Sequence, residues 1–254
     1  IRPENLVVSV TADRTGAEKV IEGIEKFAEL LKEYAGESSK AALLPVKDRS
    51  YDLKANGFLP ARFNEAFRTS GTVNYIARAG KFLDSGADYR GAVQVFQSIM
   101  RYEYMWFNIR VQGGAYGCMC SSTINGDICF VTYRDPNISR SNDVFEGIPE
   151  YLENFDCDDR EMTKFVIGTM STVDPVMTPF ARGLRDMMAY LLDVDPEEVR
   201  KRRHQIIDCT QADIRSLAHA VRKALDEGNI CCVGSESKIE EDGALFAEIK
   251  DLFA

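Results

Sequence analysis

Two polar side chains near the middle of the chain, Arg110 and Tyr116, have the chemistry to stabilise a negatively charged oxygen. Arginine offers five N–H donors in a rigid fork, and tyrosine offers one hydroxyl on a stiff ring. Such donors suit a carbonyl oxygen that gains charge during acyl transfer. Gly113 and Gly114 lie between them and would let a peptide backbone come close, so both are candidate substrate-binding positions.

A purely structural interpretation of the same stretch is favoured on spacing alone. Gly113 is well placed as the C-terminal cap of a helix, and Arg110 in the last turn suits the negative end of the helix dipole. Tyr116 would then simply fill a strand position. Residue types and spacing leave both interpretations open.

The rest of the chain offers no self-sufficient catalytic set. The only two histidines, His204 and His219, are fifteen residues apart, whereas a helical zinc pair needs them at i and i+4. No Gly-x-Ser-x-Gly, P-loop or dinucleotide fingerprint occurs. Cys118 and Cys120 would share one face of a strand, and without a nearby histidine they are expected to be buried packing residues. We expect no metal site in this chain.

A long helix and a hairpin must position Arg110 and Tyr116. Apolar residues recur at helical spacing before Arg110, and they predict a helix of about twenty residues that ends there. Those residues are Val93, Phe96, Ile99, Met100, Tyr104 and Phe107. Two strand-like segments follow at 116–122 and 127–133, and Asn125-Gly126 between them is a strong hairpin signal.

The remaining elements are assigned in chain order. Residues 6–11 predict a buried strand, and Asp13 can cap a helix that runs to about residue 34. Residues 36–50 are a polar connection, and 62–68 with 72–78 suit an antiparallel pair of strands. Helices are predicted near 142–155, 159–173, 179–192, 196–207, 211–226 and 240–253, with a strand at 229–233. The pattern predicts an α+β, two-layer fold with helices on one face of a largely antiparallel sheet.

Composition sets the class of protein and its partners. The 254 residues carry a net charge of −9, which argues against nucleic-acid or acidic-membrane binding. No apolar run is long enough for a transmembrane helix. Seven scattered cysteines favour reduced thiols and a cytoplasmic compartment. The length suits one unit spanning 1–254, and the missing initiator Met indicates a processed chain or a piece of a longer one.

The stretch Arg-Val-Gln-Gly-Gly-Ala-Tyr-Gly at 110–117 resembles a segment in the C-terminal half of presequence proteases, within the pitrilysin–insulysin family of zinc metallopeptidases. Further matches occur in the same order along the chain. They lie at 65–67, 73–75, 133–137, 163–164, 167–169 and 200–203, whereas 174–179 departs from the family pattern. Together they cover the chain from about residue 4 to its end.

The resemblance implies a pitrilysin/LuxS-type metallohydrolase-like unit, the C-terminal and fourth unit of a larger peptidase that degrades unstructured peptides. Members close two halves around a chamber, and the zinc belongs to the first unit. Arg110 and Tyr116 match the two residues that reach from the C-terminal half to the substrate backbone. The resemblance thus implies zinc in the full-length enzyme, none on this chain, and an isolated chain without activity. Its partners would be the N-terminal zinc-binding half and peptides, and organellar location is an option in a eukaryote.

Two other hypotheses remain. The chain could be a non-catalytic peptide-binding or assembly subunit of the same fold, because the wider family includes inactive subunits. A free-standing α+β domain of unrelated function explains the composition but not the ordered matches. Exposed apolar surface that normally meets a sister unit would also let the isolated domain associate with itself.

Overall fold

The fold comes from a computed structural model, which describes residues 3–35, 64–83 and 91–253. Contacts divide the chain into two compact units. The first comprises Ile1–Pro60 and Val176–Pro196, and the second comprises Ala61–Pro175 and Glu197–Ala254. The sequence predicts one unit over 1–254, and this stays a prediction.

The described residues of the second unit form a six-stranded sheet with the order β3-β4-β2-β5-β1-β6. Its strands are β1 Glu65–Thr69, β2 Tyr75–Lys81, β3 Gly117–Ser122, β4 Asp127–Tyr133, β5 Asn229–Ser235 and β6 Glu248–Asp251. The pairs β2–β4, β2–β5 and β3–β4 are antiparallel, and β1 runs parallel to both β5 and β6. The predicted α+β fold with a largely antiparallel sheet is confirmed.

The predicted antiparallel pairing of β1 with β2 is wrong. Strand β5 lies between them, parallel to β1 and antiparallel to β2. The short segment between the two strands suits a hairpin locally, but it instead carries the chain across β5. A strand from the far end of the sequence thus takes the position that local spacing assigns to a neighbour.

The hairpin of β3 and β4 agrees with its prediction. Gly126 adopts a φ of +88°, a conformation that glycine reaches without steric cost. The Thr123 N–H donates to the Asp127 carbonyl at 2.9 Å, and the Gly126 N–H donates to the Thr123 carbonyl at 3.0 Å. The tight turn fixes the register in which Cys120 lies opposite Phe130.

Helices cover one face of this sheet. They are α2 Gly91–Ile99, α3 Ser139–Glu146, α4 Ile148–Glu153, α5 Asp159–Val173, α7 Pro196–Ile207, α8 Gln211–Arg215, α9 Ala218–Asp226 and α10 Glu236–Glu241. Two predicted start signals are seen as caps: the Asp158 carboxylate accepts from the Glu161 N–H, and Thr210 with Asp213 forms a capping box. The core lies between the layers and includes Ile76, Phe96, Phe130, Phe145, Val221 and Cys232.

The predicted helix over 240–253 is wrong. Helix α10 ends at Glu241, a 3-10 turn follows at Gly243–Leu245, and the chain then enters the edge strand β6. All four residues of β6 are exposed, so the strand has no alternation of buried and exposed positions that a sequence pattern could reveal. Its place is fixed by pairing with β1.

The described residues of the first unit include the α-helices α1 Arg14–Ala35 and α6 Pro179–Leu191, and none of the residues of these helices is buried. Asp13 caps α1 as predicted, because its carboxylate accepts from the Gly16 N–H at 2.6 Å. The predicted buried strand at 6–11 is wrong: the segment is outside any described sheet, and Val8 is 46% exposed. The predicted connection at 36–50 lies outside the described residues. Among those that are described, no helix is long and apolar enough to cross a lipid bilayer.

Candidate functional site

The long helix before Arg110 changes its winding on the way to the site. Helix α2 continues through the π-helical segments Met100–Tyr104 and Trp106–Val111, so the predicted helix of about twenty residues ending near Arg110 is confirmed. The Gln112 N–H donates to the Phe107 carbonyl at 2.9 Å, five residues back. Wide turns of this kind are rare and often occur at functional sites.

Arg110 lies half-buried on the last wide turn. Its guanidinium carbon stands 4.0 Å from the centre of the Trp106 ring. Burial raises the pKa of the Cys118 thiol to about 11, and the charge of Arg110 acts against that rise. The guanidinium is therefore close to the start of β3 as well as to the helix.

The turn after the helix uses both glycines, in different ways. Gly114 adopts a φ of +80°, and a Cβ on Gly113 would stand 2.4 Å from the Ile109 carbonyl oxygen. The Gly114 N–H donates to the Arg110 carbonyl at 3.0 Å, and the Ala115 N–H donates to the Ile109 carbonyl at 3.1 Å. The left-handed residue that ends the helix is therefore Gly114, and the predicted cap at Gly113 is wrong by one position.

Tyr116 projects from the end of this turn and is 67% exposed. Its backbone N–H donates to the Arg134 carbonyl at 3.3 Å. Its ring meets Tyr133 edge to face with the centroids 5.9 Å apart, and the Arg134 guanidinium stands 6.0 Å from the ring centre. Arg134 itself has a φ of +50°, a strained conformation for a residue with a side chain.

Tyr116 begins a row of three tyrosines across neighbouring strands. The Tyr133 ring also meets Tyr75 of β2 edge to face, with the centroids 5.4 Å apart. Tyr75 and Tyr133 are 40% and 42% exposed. The row gives one end of the sheet an aromatic surface next to the hydroxyl of Tyr116.

A buried polar network fixes the turn that follows β4. Asn74 and Asp135 exchange two backbone hydrogen bonds of 2.8 Å. The Asp135 carboxylate accepts from the Ser141 hydroxyl at 2.7 Å and from the Asn137 N–H at 2.9 Å. The Asn137 side-chain amide donates to the Gly113 carbonyl at 2.7 Å. The network thus ties the turn before β3 to the turn after β4, which places Arg110 and Tyr116 on one rigid scaffold.

Sequence patterns do not identify these supporting residues. The residues at 134–137 indicate a turn, but nothing local indicates that Asn74 pairs with a residue 61 positions later. Trp106 is four residues before Arg110 on the same helix, and that spacing was a usable signal for a side-chain contact.

The predicted packing role of the strand cysteines is confirmed. Cys118 and Cys120 are buried on the covered face of β3, and burial raises the pKa of the Cys120 thiol far above its ordinary value. His204 and His219 are exposed on α7 and α9. Within the described ranges, no group of three or more His, Cys, Asp or Glu residues could hold a metal ion.

The site is a surface and not a closed cavity. A hollow of about 750 Å³ lies elsewhere in the second unit, lined by residues of α5 and α8 such as Asp159 and Gln211. No residue of the 110–117 segment lines it.

Comparison with known proteins gives a family match over most of the second unit. Residues 64–236 match the family described as the PreP C-terminal domain. The protein HypA of Clostridium perfringens is 34% identical over 219 residues, which cover 85% of this chain and 22% of the relative. Presequence protease 1, chloroplastic/mitochondrial, of Arabidopsis thaliana is 30% identical over 248 residues, which cover 96% of this chain and 22% of the relative. This chain therefore spans about a fifth of the length of these relatives.

Solved structures show the same fold at low sequence identity. A conserved protein from Enterococcus faecalis matches with a TM-score of 0.54 and 18% identity over 70% of this chain and 44% of that one. A protease from Helicobacter pylori matches with a TM-score of 0.50 and 13% identity over 66% of this chain and 42% of that one. At these identities the likeness concerns the fold alone.

Proposed function

The chain belongs to the PreP C-terminal domain family, and from that premise we propose that it is the C-terminal, non-zinc-binding domain of a zinc-dependent peptidase. In this proposal the domain closes a chamber over an unstructured peptide, and Arg110 and Tyr116 contact the peptide backbone. Gly113 and Gly114 let the backbone approach. The N-terminal half of the same polypeptide is the partner that completes the site.

The observation that carries this proposal is that both donor groups are available to a ligand. Within residues 3–35, 64–83 and 91–253, the Tyr116 hydroxyl has no hydrogen-bond partner and the Arg110 guanidinium has no ion pair. Arg78 of the second unit, by contrast, bonds to Asn142 and Glu146 at 2.8 and 2.7 Å. Two free donors on a turn held by a buried network suit an incoming carbonyl oxygen.

The residues of this chain do not fit a zinc site, since no candidate metal cluster occurs in its described part. The metal would have to be held by another part of the longer protein, where zinc polarises a carbonyl and activates water. The contribution of this chain is to orient the peptide: the Arg110 N–H groups and the Tyr116 O–H donate to a substrate carbonyl oxygen. Fixed donors are effective there because they need no reorganisation as charge develops.

The test is peptide turnover by the longer protein that carries this chain. We expect Tyr116→Phe and Arg110→Met each to lower kcat/KM on the order of 100-fold, the cost of removing one oxyanion donor. Tyr34→Phe is a matched control, because Tyr34 is also exposed, at 86%, but lies on α1. Unchanged turnover of both site variants would refute the role of the two donors.

The second hypothesis, a non-catalytic peptide-binding or assembly subunit, makes a different prediction. The row of Tyr75, Tyr133 and Tyr116 would then hold a peptide that is never cleaved. The coding sequence upstream of Ile1 discriminates between the two. An inverted zinc motif, His-x-x-Glu-His, several hundred residues earlier favours the peptidase, and its absence throughout the locus favours the binding subunit.

A further inference from the structure

We propose that Trp106 is a positioning residue, which holds the Arg110 guanidinium ready without using any of its hydrogen-bond donors. This inference rests on the proposed function and extends it by one residue. The centre of the guanidinium stands 4.0 Å from the ring centre, well inside the roughly 6 Å limit for a cation–π contact. Trp106 opens the π-helical segment that ends at Val111, and Arg110 follows four residues later on the same side.

The direction of the donors makes this contact different from an ion pair. The five N–H groups of a guanidinium lie in its plane, and a contact with an aromatic ring restricts the group without placing a hydrogen-bond acceptor on any of them. A carboxylate would order the group equally well but would occupy some of its N–H donors. Arg68, for example, is held by Asp251 at 2.9 Å through Nε and by Glu240 at 3.3 Å through Nη1, so part of its N–H edge is already occupied.

The exposure of Trp106 supports a role beyond packing. Trp106 remains 39% exposed, so its contact with the Arg110 guanidinium lies at the surface, where a ligand can reach the guanidinium. Its backbone sits on wide turns that shape the end of the helix. A donor ordered before the peptide arrives loses less conformational entropy on binding, which is the benefit of preorganisation.

A spectroscopic measurement tests the contact directly. Trp106 is the only tryptophan among the 254 residues, so the indole emission of this chain reports on one ring. We expect Arg110→Met to change the intensity or the maximum of that emission. Arg160→Met, which removes the same charge from an exposed position on α5, should leave it unchanged. Identical spectra for wild type and Arg110→Met would show that the contact between Arg110 and Trp106 is not formed in solution, and would overturn the proposal.

Peptide turnover by the longer protein tests the consequence. We expect Trp106→Leu to lower kcat/KM about two- to fivefold, the range for loss of an exposed cation–π contact. Trp106→Phe keeps an aromatic face and should restore most of the loss. Phe107→Leu is the matched control, because Phe107 is the neighbouring exposed aromatic residue, at 53%, and should have no effect.

The outcomes separate the two proposals. If Arg110→Met lowers turnover but Trp106→Leu does not, the donor role stands and the positioning role is overturned. If Phe107→Leu matches Trp106→Leu, general loss of apolar surface explains the effect, and the positioning role is again overturned. If Arg110→Met itself has no effect, the donor role proposed for Arg110 fails, and the positioning role of Trp106 fails with it.

Discussion

The two faces of the sheet share the same strands but differ in how deeply their side chains are buried. On β4, Ile128, Phe130 and Thr132 point into the core, while Cys129, Val131 and Tyr133 stay partly or fully exposed. Strand β3 alternates in the same way, with Cys120 buried and Met119 exposed at 48%. Side chains on the covered face fill the core, whereas side chains on the open face are partly or fully exposed. Because the two sets alternate residue by residue, a substitution one position along a strand tests a different property of the molecule.

The largest expected effect comes from a matched pair on β4. Phe130 is 1% exposed and stacks on Phe145 with the centroids 5.8 Å apart, so Phe130→Ala should lower the free energy of unfolding by about 3–5 kcal/mol. Tyr133→Ala on the open face should lower it by about 1 kcal/mol, since most of its loss is two edge-to-face ring contacts. Denaturant titration of both variants measures the difference, and equal losses would contradict the division between faces.

The cysteines provide a second test, in which the rate of thiol modification should differ on the order of 100-fold between the two faces of the sheet. Cys120 and Cys232 are fully buried on the covered face, whereas Cys129 and Cys231 are partly exposed on the open face. Burial raises the pKa of Cys232 to about 12, and burial also raises those of Cys129 and Cys231. We expect a thiol reagent at pH 8 to modify the open-face pair at least about 100-fold faster, because a covered thiol reacts only after local opening.

The sign of the pH dependence follows from the same shifts. The thiolate is the reactive form, and the raised pKa of each thiol keeps it protonated in the neutral range. Modification should therefore accelerate about tenfold between pH 7 and pH 8. Peptide mapping by mass spectrometry assigns the sites. Modification of Cys120 as fast as Cys129 would mean that the core is not closed.

The smallest effect concerns the turn that carries Tyr116. Gly114→Ala forces a side chain into a φ of +80° and should lower the free energy of unfolding by about 1 kcal/mol. The matched control is Gly168→Ala in the middle of α5, where an added Cβ meets nothing within 4 Å. That change should raise stability by up to about 1 kcal/mol, from helix propensity. A Gly114→Ala variant as stable as Gly168→Ala would show that the turn is not fixed in this conformation.

Local patterns predicted the parts of the fold that local physics determines. The hairpin of β3 and β4, the long helix and most of the later helices follow from turn residues, caps and apolar spacing. The pairing of β1 with β5 does not, because its partners are more than 160 residues apart, as Glu65 and Cys231 show. Strand β6 was missed because no buried position marks it.

The same limit applies to the candidate site. Arg110 and Tyr116 can be named from their chemistry and from a family resemblance. The half-buried position of Arg110 and the exposed position of Tyr116 agree with both the proposed and the structural interpretation. What holds them could not be named in advance. The Asn74–Asp135 bridge joins distant segments, and the contact of Trp106 with Arg110 depends on a helix that widens to π geometry, for which the sequence has no simple signature.

The two outer strands of the sheet differ in their exposure to unwanted pairing. Strand β6 carries Glu248, Lys250 and Asp251, and Lys250 is paired with Glu65 of β1 at 3.3 Å. Charges on an edge strand disfavour the addition of another chain. Strand β3, at the other edge, has the sequence Gly-Cys-Met-Cys-Ser-Ser and no charge. If concentrated solutions of the isolated chain form β-rich aggregates, β3 is therefore the edge at which they should begin to grow.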